Sequence, residues 1–404
     1  MRRVAIVLSV AGLLTACTST STPAEPSPST VQQGLPTASG SVSATATTPQ
    51  PPDAPRIVWS EVAFEGSVSD VIADRSRFVA VGIGTNGATA WTSQDGLTWQ
   101  ELDVPERSFG EIEDGVELTG AMGTLVRLRD TLYSFGGLSF NDAVSGAGWR
   151  WTDGEAWQVI ESQSSFFSGT VTAAAANDEA LVAATLSFAM GLFGSYTTWR
   201  WTPATSWTQT SLVSSEHENI VVEAIAWSQS TFVAAGTYAA AVDGVERWDW
   251  PRALAMWTSP DGLDWRRVQL PTGMSRLCAV ASTQGGFAAF GASGDRLAAW
   301  TSIDGGTWAQ GEVDAAEGLE IGNMDLNTCR VVDFGDGLVA FARGAGGTLV
   351  WTSADGTAWK YRERLPITTT AVAALNGQVL VAGRASASAD PETAPLMLLG
   401  SVEP

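Results

Sequence analysis

Histidine is nearly absent from this chain: among 404 residues there is one, His217, in a polar stretch at 214–219 that reads as a solvated loop. Any zinc cluster, Ser-His-Asp triad or Cys-His dyad that draws on several imidazoles is thereby excluded or sharply limited. Lysine also occurs once, at Lys360, and 22 basic residues face 43 acidic ones, for a net charge of −21. That balance argues against nucleic acid and against adhesion to anionic lipid, and is compatible with basic partners or divalent cations such as calcium. The acidic runs around Glu113 and Glu317 lack the alternating ligand spacing of an EF-type loop, so they read as solvated charge and no metal site is assigned. With only three cysteines there is no paired CxxC motif, and neither a P-loop nor a dinucleotide fingerprint is present. No cofactor is expected. The longest apolar run, residues 4–14, is too short to span a bilayer.

That run follows Arg2 and Arg3 and ends in Leu14-Thr15-Ala16-Cys17, the layout of a cleaved export signal. The four residues resemble the lipobox of bacterial lipoproteins. The resemblance implies that Cys17 is the lipid attachment point and the mature N-terminus, with residues 1–17 as signal and the protein held on the outer, extracytoplasmic side of the cell membrane by that anchor alone. Residues 18–55 are dominated by Ser, Thr, Pro and Ala without an aromatic, too little apolar surface to offset the entropy of ordering. They are expected to form a disordered tether with a root-mean-square reach of roughly 35 Å.

From residue 56 to 404 a phrase recurs: Trp-Thr-Ser-x-Asp-Gly-x-x-Trp, complete from Trp91, Trp257, Trp300 and Trp351, and eroded at residues 151–157 and 201–207. Each unit of roughly 50 residues also holds two alternating apolar stretches around a tight polar turn. Four strands per unit follow, with the phrase as a hairpin between the third and fourth. In the first unit they are predicted at 68–73, 78–82, 89–92 and 99–104. Within the phrase the Asp carboxylate suits backbone N–H groups of a turn, Gly takes positive φ, and the tryptophans pack on the sheets. Repeats of this length with short protected strands predict a β-propeller.

The phrase resembles the Asp-box, or BNR repeat, of sialidase-type β-propellers, with Asp95, Asp261, Asp304 and Asp355 at the turn position. It departs from the usual Ser-x-Asp-x-Gly-x-x-Trp by one residue fewer between Ser and Trp, in every complete copy. The resemblance implies the propeller fold and a structural role for these aspartates; the turn element is found in catalytic and noncatalytic members alike. After Trp359 three further strands are expected at 371–375, 378–383 and 396–400, lacking a closing strand, whereas Trp59-Ser60-Glu61-Val62 looks like a fourth strand lacking the other three. Together they predict an all-β, seven-bladed propeller of four-stranded antiparallel blades whose last blade is closed by the N-terminal strand. The alternative is six blades with a terminal appendage.

Cys278 and Cys329 each lie nine residues before a second strand, at equivalent positions in neighbouring units. A disulfide between them is expected in an exported protein; the alternative is two buried thiols separated beyond about 7 Å. Links between second and third strands, and between units, are long and variable, so one face carries the insertions where binding residues gather. The candidates there are Phe140, Phe193, Trp248 and Trp250, with Arg276 and Arg330 near the channel mouth. The function expected is a noncatalytic, membrane-tethered module that binds a glycan or an envelope protein as a monomer. The alternative is a sialidase-like glycoside hydrolase, whose arginine triad and Tyr-Glu pair this sequence matches poorly.

Overall fold

The computed structural model describes residues 54–402, apart from 85–86, 106–107, 112–116, 120, 141–142, 161–165, 167–168, 190–191, 213–217, 246–249, 320, 322–328 and 387–394. The chain divides into Met1–Pro51 and Pro52–Pro404. Cys17, the tether up to residue 53, His217 and Trp248 lie outside the described residues. No helix among the described residues is long and apolar enough to cross a membrane.

Strand β1 (Ile57–Val62) is followed by a four-stranded antiparallel sheet of β2 (Ser67–Asp74), β3 (Arg77–Gly84), β4 (Gly87–Ser93) and β5 (Gln100–Leu102). A small hairpin of β6 (Ser108–Glu111) and β7 (Glu117–Thr119) leads to the next sheet, β8 (Leu125–Leu128), β9 (Thr131–Phe140), β10 (Ala143–Thr152) and β11 (Gln158–Val159). Two more follow: β12 (Thr170–Ala176), β13 (Leu181–Ala189), β14 (Leu192–Thr202) and β15 (Thr205–Thr210), then β16 (Glu218–Ser228), β17 (Thr231–Ala240), β18 (Ala253–Ser259) and β19 (Arg266–Arg267). Next come β20 (Met274–Thr283), β21 (Gly286–Ser293), β22 (Arg296–Ser302), β23 (Ala309–Val313), β24 (Cys329–Asp333), β25 (Leu338–Gly344), β26 (Gly347–Ser353) and β27 (Ala358–Leu365), all in one sheet. The chain ends with β28 (Ile367–Leu375), β29 (Gln378–Ala385) and β30 (Pro395–Val402).

The expected architecture of seven separate four-stranded blades is therefore corrected. Five sheets have four strands each, and β20 to β27 form a single eight-stranded sheet. The cause is a parallel pairing of outer strands, Glu312↔Ala358 and Val313↔Trp359, in which the Glu312 N–H donates to the Thr357 carbonyl at 2.7 Å and the Asp314 N–H to that of Trp359 at 2.9 Å. Gly311 permits the approach, since a Cβ there would lie 2.4 Å from the Thr357 oxygen. A repeat pattern reports strands within a unit and carries no mark of such lateral fusion.

The closure expected at the chain ends is present. β1 pairs antiparallel with β30 from Ile57↔Val402 to Val62↔Met397, giving the sheet order β1-β30-β29-β28. Residues from β26 and β27 also fix the incoming segment: the Thr352 hydroxyl donates to the Pro55 carbonyl at 2.7 Å, Arg362 to that of Ala54, and the Trp59 indole donates to Glu363 at 3.0 Å. Innermost strands adjoin in the order β2, β8, β12, β16, β20, β24, β28 and back to β2. The sheet edge that would otherwise be left at β30 is thus paired within the chain.

The repeated phrase resolves into one turn. In β4 to β5, Asp95 Oδ1 accepts from the N–H groups of Leu97 (2.9 Å) and Thr98 (2.7 Å), the Ser93 hydroxyl accepts from Gly96 N–H (2.8 Å), and the Trp99 indole donates to the Gly96 carbonyl (3.2 Å). The same cap recurs at Asp261 and Asp304, and Asp355 holds Thr357 in the same way. Gly96 has φ of 73°, and a Cβ there would meet Leu399 of the adjoining sheet at 2.8 Å, so both the turn and the packing require glycine. The buried tryptophans that open the phrase, Trp91, Trp257, Trp300 and Trp351, fill the space between sheets. Each removes roughly 150–250 Å² from water, about 4–6 kcal/mol as an upper figure.

Two registers differ from the sequence expectation. Trp149↔Ser134 and Trp199↔Ala183 occupy the place of Trp91↔Ala80, so the altered phrases run over residues 149–157 and 199–207 at full length. Trp151 and Trp201 then stand where the others have Ser, and Pro203 and Ala204 replace the Asp-Gly pair. The links between second and third strands, expected to be long and variable, are in two sheets mostly extended hairpins, β9 with β10 and β13 with β14.

Candidate functional site

Five of the innermost strands each carry a β-bulge, and the bulged residues are Ser69, Thr172, Glu223, Cys278 and Thr370. The bulge turns a side chain toward the next strand. Thr172 Oγ1 donates to the Val222 carbonyl of β16 at 3.0 Å, and Thr370 Oγ1 to the Val68 carbonyl of β2 at 3.1 Å. Cys278 is joined to Cys329 of β24 by a disulfide with a Cα–Cα distance of 5.2 Å. Hydrogen bond and disulfide do the same work at equivalent positions: they tie neighbouring sheets at the axis.

Around these bulges lies a cavity of about 270 Å³ lined by Asp70, Glu223, Arg330, Thr124, Thr172 and Thr370 among others. Asp70 and Arg330 occupy equivalent register positions, opposite Val81 and Phe341. The Asp70 carboxylate accepts from the N–H groups of Val71 (2.9 Å) and Leu125 (2.7 Å). Burial pushes its pKa up to about 6, against the pull of those N–H groups and the Arg330 charge. Arg330 donates to the carbonyls of Cys329 (2.8 Å) and Thr370 (3.0 Å), and burial lowers its pKa while Asp70 opposes the change.

The predicted residues do not all meet here. Arg330 lines the cavity, whereas Arg276 is exposed near the start of β20, and the Trp250 indole donates to Val245 within its own loop at 3.0 Å. Phe140 ends β9 and Phe193 lies in β14, with side chains outside the described residues. Asp70 and Glu223 were missed by sequence reasoning. The equivalence of Cys278 with Cys329 was the available signal, because one residue onward it aligns Arg330 with Asp70. Among the described residues no group of three or more His, Cys, Asp or Glu side chains is arranged to hold a metal ion.

A second cavity, of about 600 Å³, opens on the opposite face, where the Asp-Gly turns and the inner hairpin turns gather. It lies between β20–β23 and β24–β27 and is lined by Gln284, Phe287, Thr301, Asp304, Asp333, Leu338 and Asp355, with Ile303 at its rim and 74% exposed. The corresponding groove between β2–β5 and β8–β11 is filled. There Arg75 bonds Asp130 (2.6 Å) and Asp153 (3.2 Å), and Arg77 bonds Asp153 (2.7 Å) and lies over the Trp151 ring at 4.7 Å.

No protein-family model matches this chain, and a search of curated proteins finds no match. Solved structures do match. YCF48 bound to D1 peptide is similar with a TM-score of 0.51 at 14% identity, over 86% of this chain and 96% of that one. The polysaccharide lyase Uly1 is similar with a TM-score of 0.51 at 7% identity, over 83% and 90%. At such identities the likeness is one of fold, and the chain is a β-propeller.

Proposed function

We propose that this protein is a membrane-tethered, extracytoplasmic binding module for a glycan or protein partner, and that it is noncatalytic. The observation that carries the reading is the closed axis, which brings Asp70, Glu223 and Arg330 from three different sheets into one polar cavity of about 270 Å³. Fixed charges on a rigid scaffold are suited to recognising a small polar group, such as a sugar or a charged side chain, presented by something larger. Asp70 and Arg330 already hydrogen-bond backbone groups, which favours a positioning role over proton transfer. The lipobox-like Leu14-Thr15-Ala16-Cys17 and the tether of residues 18–55 supply location and reach. A peptide-bound propeller among the similar structures is compatible with this use of the fold.

The test is the full chain probed against cell-wall glycans and envelope proteins, beside Glu223→Gln and Arg330→Lys. Capture of a partner that weakens in either variant supports the reading. Silence across both panels overturns it, and turnover of a fluorogenic sialoside overturns its noncatalytic part.

A further inference from the structure

The open groove differs from the filled one at several register positions, among them Asp333, opposite Leu338, where the filled groove has Arg127, opposite Leu132. Arg77, which pairs with Asp74 at the end of the β2–β3 hairpin, corresponds to Gly286, which pairs with Thr283 in β20–β21; Arg75 corresponds to Gln284. Asp153 and Asp355 occupy the same place in their phrases, but the carboxylate that takes both arginines in the filled groove has no guanidinium facing it in the open one. Asp355 Oδ1 holds the Thr357 N–H and hydroxyl at 2.8 and 2.7 Å, while Oδ2 has no partner among the described residues. Asp304 likewise spends Oδ1 on Gly306 and Thr307. No Lys or Arg lines this cavity, and its floor is apolar, with Phe287, Leu338 and Ala354.

We propose that the groove between β20–β23 and β24–β27 binds an extended peptide segment of a partner protein, taking an arginine side chain against Asp355 and Asp304 and a neighbouring apolar side chain against Ile303 and Leu338. The molecule itself shows the chemistry: Arg75 and Arg77 occupy the equivalent carboxylate, Asp153, in the groove between β2–β5 and β8–β11. Charge complementarity selects the occupant, since an acidic rim over an apolar floor on a strongly acidic chain attracts a basic, amphipathic segment. The site lies on the face opposite the long variable connections. It stands independently of the axial cavity, so either can fail alone.

The experiment is fluorescence anisotropy of the full chain with a labelled Gly-Leu-Arg-Leu-Gly peptide. Saturable binding is expected, weakened about tenfold when Arg is replaced by citrulline, as the loss of one charge-assisted contact implies. Gln284→Arg supplies the groove with its own guanidinium and is expected to weaken binding at least as much. Asp355→Asn keeps the turn cap through its amide oxygen and should also weaken binding, whereas Asp95→Asn, the same cap in another sheet, should leave it unchanged. Equal affinity for the citrulline peptide, wild-type affinity in both groove variants, or an equal loss in Asp95→Asn overturns the proposal. So does a dimer that Gln284→Arg dissociates, which would make a second copy of the chain the occupant.

Discussion

Two grooves on one face of this molecule are built from equivalent positions and end in opposite states. Between β2–β5 and β8–β11, Arg75, Arg77 and Arg127 knit three aspartates together, including fully buried Asp74. Between β20–β23 and β24–β27 there is Gln284, Gly285, Gly286, Gly335 and Gly337, and a cavity of about 600 Å³ remains. The sheets flanking the empty groove are held elsewhere, by the Cys278–Cys329 disulfide at the axis and the β23–β27 backbone pairing at the rim. In the groove itself Gln284 also crosses, its N–H donating to Asp333 Oδ2 at 2.9 Å and its side-chain amide to the Gly335 carbonyl at 3.5 Å, a tie that lacks the paired charges of the filled groove.

If the open groove depends on those outer ties, removing the disulfide with Cys278→Ser and Cys329→Ser gives the largest effect. The loop of 51 residues implies a loss of about 4 kcal/mol in the chain-entropy picture, measurable by denaturant unfolding. An unchanged midpoint would show that backbone pairing alone suffices. In the filled groove, Arg77→Ala removes a partner from buried Asp74 and a cation from the face of Trp151, with an expected loss of about 1–3 kcal/mol. Gln284→Arg should sharpen the contrast from the other side, raising stability by roughly 0.2–1 kcal/mol as an exposed pair forms with Asp355.

A further contrast is in acid and has opposite signs at groove and axis. Asp153 is held below the ordinary carboxylate range, first by its bond to Arg77, so its contribution is present above pH 3.8 and lost as pH falls through its lowered folded pKa. Asp70 is raised from 3.8 to about 6, so its contribution is full below 3.8 and lost as pH rises through about 6. Unfolding between pH 2 and 7 should therefore show Arg77→Ala altering only the lower limb, and Asp70→Asn flattening only the span from about 4 to 6.

Strand order, the turn phrase and closure by β1 were legible because each depends on local pattern: alternation, Asp-Gly chemistry, and a tryptophan strand missing its mates. The altered phrases were misread by two residues. Trp149-Arg150-Trp151 offers two tryptophans, and only the pairing with Ser134 and Leu132 distinguishes the interior one from the one in the serine place. Fusion of two sheets into one was hidden, because Gly311 looks like any strand glycine until Thr357 is known to lie against it. The axial site was half legible: Arg330 was found, but Asp70 and Glu223 belong to strands far away in sequence that only ring closure brings together. The open groove was concealed by the regularity of the phrase, whose turns look alike in every complete copy. Its signal was negative, glycine and glutamine where another unit has arginine.

The most direct measurement is hydrogen exchange of the full chain with and without the Gly-Leu-Arg-Leu-Gly peptide. The account predicts slowed exchange at residues 283–287, 301–309 and 333–338 and none at 75–78, where Arg75 and Arg77 already occupy the equivalent place. Slowed exchange confined to the axial strands around residues 223–225 and 329–331, or no change anywhere at saturating peptide, would contradict it.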